Sequence, residues 1–152
     1  MPVSRHSTMA SGCRMVIGLT WLGGALFNLT QTLRHPSVIT DGLATDATFA
    51  VFRWFFGDVV GRAPAFWIAL LVIVELALGL LTLGRGPWAR IGLIGSAAFS
   101  AFLFLVIWPY TLMMGAWAIL ALWLLRYDHR SSILDLAHPG DRSGRQATGS
   151  GV

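Results

Sequence analysis

The sequence predicts an all-α membrane protein, a polytopic four-helix bundle, on three grounds: its composition, the gathering of apolar residues into long runs, and the placement of arginine. Of the 152 residues, 55% are hydrophobic and 12% charged, more apolar than a soluble domain of this size. Residues 65–83 include one ionisable side chain, and residues 91–107 and 111–125 include none. Each run approaches the length with which a helix crosses a hydrocarbon core about 30 Å thick. Backbone groups inside lipid must be satisfied within their own segment, so such runs are helices and not open strands.

Taken in order, residues 1–13 read as a cytoplasmic segment ahead of a membrane domain at 14–126. The first span, at about 15–33, is more polar than the others but uncharged. Arg5 and Arg14 precede it as in a secretory signal. The run is too long for one, lacks a small-x-small cleavage site and is followed by further spans, so retention is expected. Ala10-Ser11-Gly12-Cys13 has no apolar run before it, unlike a lipoprotein cleavage box.

A loop of mixed polarity runs from residue 35 to 64. Within it, residues 47–60 hold Phe49, Phe52, Trp54, Phe55 and Phe56, with Asp46 placed to cap and Gly61 to stop a helix. This stretch predicts an interfacial or re-entrant helix over the outer mouth of the bundle. Spans two, three and four follow at about 65–83, 90–107 and 110–126. Gly84-Arg85-Gly86-Pro87 and Trp108-Pro109-Tyr110 join them with almost no slack, which makes consecutive spans antiparallel neighbours. The tail, 127–152, is rich in Gly, Ser and Arg and is expected to be largely disordered beyond a short helix at 131–137.

All 11 Lys and Arg residues are arginine, and the formal net charge is +4. These arginines flank apolar runs and form no continuous basic stripe, so nucleic acid is not an expected partner. With an inside N-terminus, Arg5, Arg14, Arg85, Arg90, Arg126, Arg130, Arg142 and Arg145 lie in the cytoplasm. Outside lie Arg34, Arg53 and Arg62, accompanied by Asp41, Asp46 and Asp58. That asymmetry predicts both termini inside, in the plasma or inner membrane. Trp67, Trp88, Trp108 and Trp123 near span ends fit an interfacial aromatic belt.

Composition also excludes chemistries. Without lysine there is no Schiff base, and with Cys13 as the single cysteine there is no internal disulfide or cysteine-held iron–sulfur cluster. His6, His35, His129 and His138 lie outside the spans, which leaves bis-histidine haem and metal binding within the bundle unsupported.

Glu75, the only glutamate, falls near the middle of span two. An unpaired carboxylate there is costly, so the residue is expected to face the bundle interior. Two roles stay open: proton exchange or a ligand contact, and a structural hydrogen bond that specifies packing. Thr20, Gly24, Asn28, Gln31 and His35 form one stripe on span one, at the depth to receive it. Arg53 is a candidate counter-charge if the outer helix dips inward, and otherwise stays at the headgroups near Asp58. Gly92, Ser96 and Ser100 give span three a small-residue face for close packing.

The run Val74-Glu75-Leu76-Ala77-Leu78-Gly79-Leu80-Leu81-Thr82-Leu83-Gly84, with Gly23-Gly24 before it and Arg90 and a glycine-containing third span after it, resembles the DoxX-like family of small four-helix membrane proteins. The similarity covers about residues 14–125. Where family members often carry a lysine near the end of span one, this chain has Asn28, Gln31 and Arg34. The resemblance implies an accessory, non-catalytic role in a redox-associated membrane complex, as with the DoxD-type subunit of thiosulfate:quinone oxidoreductase. It implies a quinone or other hydrophobic ligand held near Glu75, Asn28 and Gln31, and a protein partner or second copy alongside the lipid bilayer. Other relatives act in assembly or as cargo receptors, which keeps a membrane assembly factor as the alternative.

Overall fold

The computed structural model describes residues 5–108 and 111–127. Among them the chain is helical throughout, with no strand. Six α-helices run in order: α1 (Arg5–Thr30), α2 (Pro36–Asp46), α3 (Ala50–Trp54), α4 (Pro64–Leu83), α5 (Pro87–Val106) and α6 (Leu112–Leu124). Single-turn segments join them, a 3-10 turn at Thr32–Arg34, a π turn at Phe55–Val59 and a second 3-10 turn at Val60–Arg62. The expected helix at 131–137, the tail and the Pro109-Tyr110 turn lie outside the described residues.

Three helices are long and apolar enough to cross a membrane: Met9–Arg34 over 26 residues, and Pro64–Leu83 and Pro87–Val106 over 20 each. α4 and α5 begin at proline in the first helical turn, where the missing N–H costs nothing. Gly86 between them has φ 59°, a left-handed conformation that suits glycine and lets three residues reverse the chain. α6 has 13 residues, about 20 Å of helix, and is shorter than the span expected at 110–126. Just before its start, the Thr111 hydroxyl donates to the carbonyls of Leu103 (3.1 Å) and Ile107 (3.1 Å) and so ties the α5–α6 turn together.

α1 begins at Arg5, so the helix reaches into the segment expected to precede the span, and Arg14 is buried at 2% exposure. The outer loop is where expectation is corrected. The loop expected before residue 47 contains α2, opened by Pro36 in its first turn. Asp46 therefore closes a helix rather than capping one, and Phe49 stands at the N-cap of α3 with no side-chain cap bond. The aromatic stretch is not a single helix but α3, the π turn and the second 3-10 turn, which bend it over the bundle.

α1 packs antiparallel on α4, α4 on α5, and α5 on α6. Glycine sets the distances. A methyl on Gly79 would lie 2.7 Å from the Leu22 side chain and 3.0 Å from the Gly18 carbonyl, and one on Gly18 would lie 2.6 Å from Leu83. One on Gly92 would strike the backbone of Leu81 and Thr82. Beside it, the hydroxyls of Thr82 and Ser96 pair at 3.3 Å in a buried contact. Of the small face foreseen on span three, Gly92 and Ser96 thus pack on α4, while Ser100 lies near residues of α1 and α6.

The main core joins Ile17, Trp21, Leu78, Leu93, Ala97, Ala121 and Leu124. A second cluster of Ala47, Phe56, Val60 and Val106 fastens the α2–α3 segment to the N-terminal half of α4 and the C-terminal end of α5. Large apolar side chains such as Phe27, Phe66, Ile73, Leu80 and Ile119 stay exposed. On a membrane protein that outer surface is the lipid-facing one.

Candidate functional site

The buried positions of α4, namely Ile68, Val72, Glu75, Leu78, Gly79 and Thr82, recur every three or four residues and form one inward stripe. Glu75 is 7% exposed within it. Side chains lean toward the N-terminus of their own helix, so in an antiparallel pair those of α1 and α4 lean toward each other. Asn28 Nδ2 accordingly donates to Glu75 Oε2 at 2.8 Å. The Asn28 amide oxygen accepts from the Thr32 hydroxyl, also at 2.8 Å. Thr32 is 5% exposed, so the chain of bonds from Thr32 through Asn28 to Glu75 runs largely out of solvent.

Gly24 completes this seam by its size. A Cβ built there would sit 3.1 Å from Glu75 Oε1, tighter than an ordinary contact, so the carboxyl lies in the space that a side chain would need. Thr20, one turn further along α1, is not part of the pair. Its hydroxyl donates to the Val16 carbonyl at 2.9 Å.

Gln31 and Arg53 are not brought to Glu75. Gln31 is exposed, since the α-helix ends at Thr30 and the following turn rotates it away from α4. Arg53 Nη1 donates to the carbonyls of Ala47 (2.8 Å) and Thr48 (3.3 Å) and so ties the α2–α3 corner together. Its expected place near Asp58 is not borne out as a bond, although Asp58 and Arg62 share a shallow surface depression with Trp54. His35 stands at the N-cap of α2. Thr32 is the residue that sequence reasoning missed, although its spacing of four from Asn28, Gly24 and Thr20 continues the ladder.

A second feature had no sequence signal. Between α2, the π turn, α4 and α5 lies a half-open cavity of about 280 Å³. Leu43, Phe56, Trp67, Leu71, Phe102 and Val106 are among its walls. Thr40 is the one hydroxyl on the lining and is already engaged, donating to the Ser37 carbonyl at 3.1 Å. Val74 lies on this wall, whereas its neighbour Glu75 faces α1.

Family models, curated proteins and solved structures were all compared with the chain, and none matches.

The two features have different chemical capacities. In the seam, Asn28 Nδ2 engages Glu75 Oε2, while Glu75 Oε1 lies against the space left by Gly24. The cavity offers apolar surface and little to hydrogen-bond, which favours a hydrocarbon chain or ring over a polar headgroup. Among the described residues no group of three or more His, Cys, Asp or Glu side chains is placed to hold a metal ion.

Proposed function

We propose that this chain is a DoxX-like, four-span membrane protein that acts as a non-catalytic accessory subunit of a redox-associated membrane complex and holds a hydrophobic molecule beneath its α2–α3 segment. The observation that carries the reading is the apolar cavity of about 280 Å³, near the lower end of the range for small-molecule sites. The bound group is the apolar part of a quinone or lipid, because the lining is almost wholly apolar. The Glu75 motif at residues 74–84 supports the family reading, and the arginine asymmetry supports a cytoplasmic N- and C-terminus in the cell membrane.

The test is purification in mild detergent followed by mass spectrometry of the lipids, quinones and proteins that accompany the chain. A stoichiometric quinone or lipid that is lost in Leu71→Trp supports the cavity as its site. A preparation free of such molecules, with no change in melting temperature on adding quinone, counts against it. Topology is checked in a Cys13→Ser background with single cysteines at Asp41 and Ser143. Labelling of the first and not the second by an impermeant reagent in intact cells is the expected pattern.

A second reading, a membrane assembly factor, is favoured by the bonds from Thr32 to Asn28 and from Asn28 to Glu75, which tie α1 to α4 as an architectural seam. Recovery of one membrane client in place of a redox protein would support it.

A further inference from the structure

At the end of the bundle where α4 begins, one surface feature is used by neither the seam nor the large cavity. Trp54, Asp58, Val59 and Arg62 line a shallow depression of about 290 Å³ whose wall is polar as well as apolar. Asp58 and Arg62 are exposed, and so is Trp54, at 58%. Trp54, Asp58 and Arg62 follow one another at a spacing of four, which on a regular α-helix brings an acid and a base into contact. Here that spacing crosses the π turn at Phe55–Val59 and the 3-10 turn at Val60–Arg62. No hydrogen bond or ion pair joins the two charged side chains, or holds either to another described residue. The neighbouring cation, Arg53, is by contrast engaged by the Ala47 and Thr48 carbonyls.

The place of the depression and its chemistry select the occupant. Arg62 stands just ahead of α4, a helix long and apolar enough to cross a membrane, whose exposed apolar surface starts at Phe66. Four residues of helix rise about 6 Å, so Asp58 and Arg62 lie where lipid headgroups meet hydrocarbon, the level that tryptophan favours. A simple anion there would meet Asp58, a simple cation would meet Arg62, and a neutral sugar would leave both charges unpaired. A zwitterion pairs with both. Guanidinium takes phosphate through parallel N–H···O bonds, and the carboxylate takes the cationic head. A primary ammonium brings three N–H donors to that carboxylate, as a lysine does. A trimethylammonium brings none and is held by cages of aromatic rings, whereas Trp54 is the one aromatic residue on this lining.

We propose that this depression binds the headgroup of phosphatidylethanolamine, with the phosphate on Arg62, the ammonium on Asp58 and the Trp54 indole against the glycerol. The lipid so bound anchors the Trp54–Arg62 segment to the surface from which α4 enters the membrane. The inference rests on α4 as a membrane span and not on a guest in the apolar cavity.

The test is native mass spectrometry of the full chain in detergent, titrated separately with phosphatidylethanolamine, phosphatidylcholine and phosphatidylglycerol of identical acyl chains. The first equivalent of phosphatidylethanolamine is expected to bind about two- to fivefold more tightly than either of the others, the scale of one exposed ion pair. Asp58→Asn is expected to lower its binding to the level of phosphatidylcholine, and Arg62→Gln to weaken both zwitterionic lipids. Leu71→Trp, which fills the apolar cavity, is expected to leave the preference in place. A parent chain with no such preference overturns the proposal, as does a preference that survives in Asp58→Asn or phosphatidylethanolamine binding unweakened in Arg62→Gln. Loss of the preference in Leu71→Trp overturns it by moving the lipid to the cavity. Glycerophosphoethanolamine bound as tightly as the lipid overturns it in favour of a soluble zwitterion.

Discussion

The α1–α4 seam and the space beneath the α2–α3 segment are built from the same helix, α4, yet one side is closed and the other open. On the closed side Gly18, Gly24 and Gly79 remove side chains, so the helices approach until Glu75 reaches Asn28 at 2.8 Å. On the open side Phe55, Trp67 and Phe102 hold the elements apart, with the Phe55 and Trp67 rings at 5.8 Å and those of Phe52 and Phe102 at 5.8 Å. Residue size, more than polarity, decides where this protein encloses space. In lipid, where burial of apolar surface gives little advantage, packing and a few internal hydrogen bonds must supply cohesion.

The sharpest way to break this contrast is to add bulk to the closed side. Gly79→Val is expected to destabilise the fold by about 3 kcal/mol, since Leu22 and the Gly18 carbonyl already occupy the space. Denaturation in mixed micelles would measure it, and a loss below about 1 kcal/mol would mean that the two helices are not in tight contact.

Next in size is Glu75→Leu, which strands the Asn28 amide and is expected to cost about 2 kcal/mol. Glu75→Gln retains an acceptor and should stay within about 0.5 kcal/mol of the parent. Equal stability of the Leu and Gln variants would show that the Asn28 bond contributes nothing.

Thr32→Val removes the outer bond of the same chain while keeping its shape, for an expected loss of about 0.6–1 kcal/mol, in the range of interhelical bonds in membranes. In an Asn28→Ala background the same change should cost less, and a double-mutant cycle with no coupling would separate the two residues.

The smallest effect is expected on the open side. Leu71→Trp adds a volume comparable to that of Gly79→Val, but into a cavity of about 280 Å³, so its cost should remain below about 1 kcal/mol. A loss as large as that of Gly79→Val would show that the wall cannot accept a guest.

The sequence made the long helices of the hairpin legible because their signals are local. Residues 65–83 and 90–107 nearly coincide with α4 and α5, since proline marks each start and Gly84 follows the first stop. Glu75 and Asn28 were legible as facing groups because a charge and an amide in apolar runs have few places to go. α2 was not, because Val38, Ile39, Thr40 and Gly42 are weak helix formers and its fold depends on packing against α4 and the π turn. On a straight helix Gln31, not Thr32, continues the stripe, but the chain tightens there into a 3-10 turn that brings Thr32 inward. The large cavity is assembled from residues between 39 and 106, and no local pattern announces such a space.

Thr48 gives the open side an order of assembly. Its N–H donates to the Val106 carbonyl at 2.8 Å, while its hydroxyl accepts from the Trp108 N–H at 2.8 Å and donates to the Trp108 carbonyl at 3.2 Å. The partners are 60 residues apart for the Trp108 contacts, so this clasp cannot form until the chain has been made through α5. Helices and their hairpin contacts form on far shorter times than synthesis adds that length, about 5–20 residues per second. The α2–α3 segment therefore waits unclasped while α4 and α5 associate.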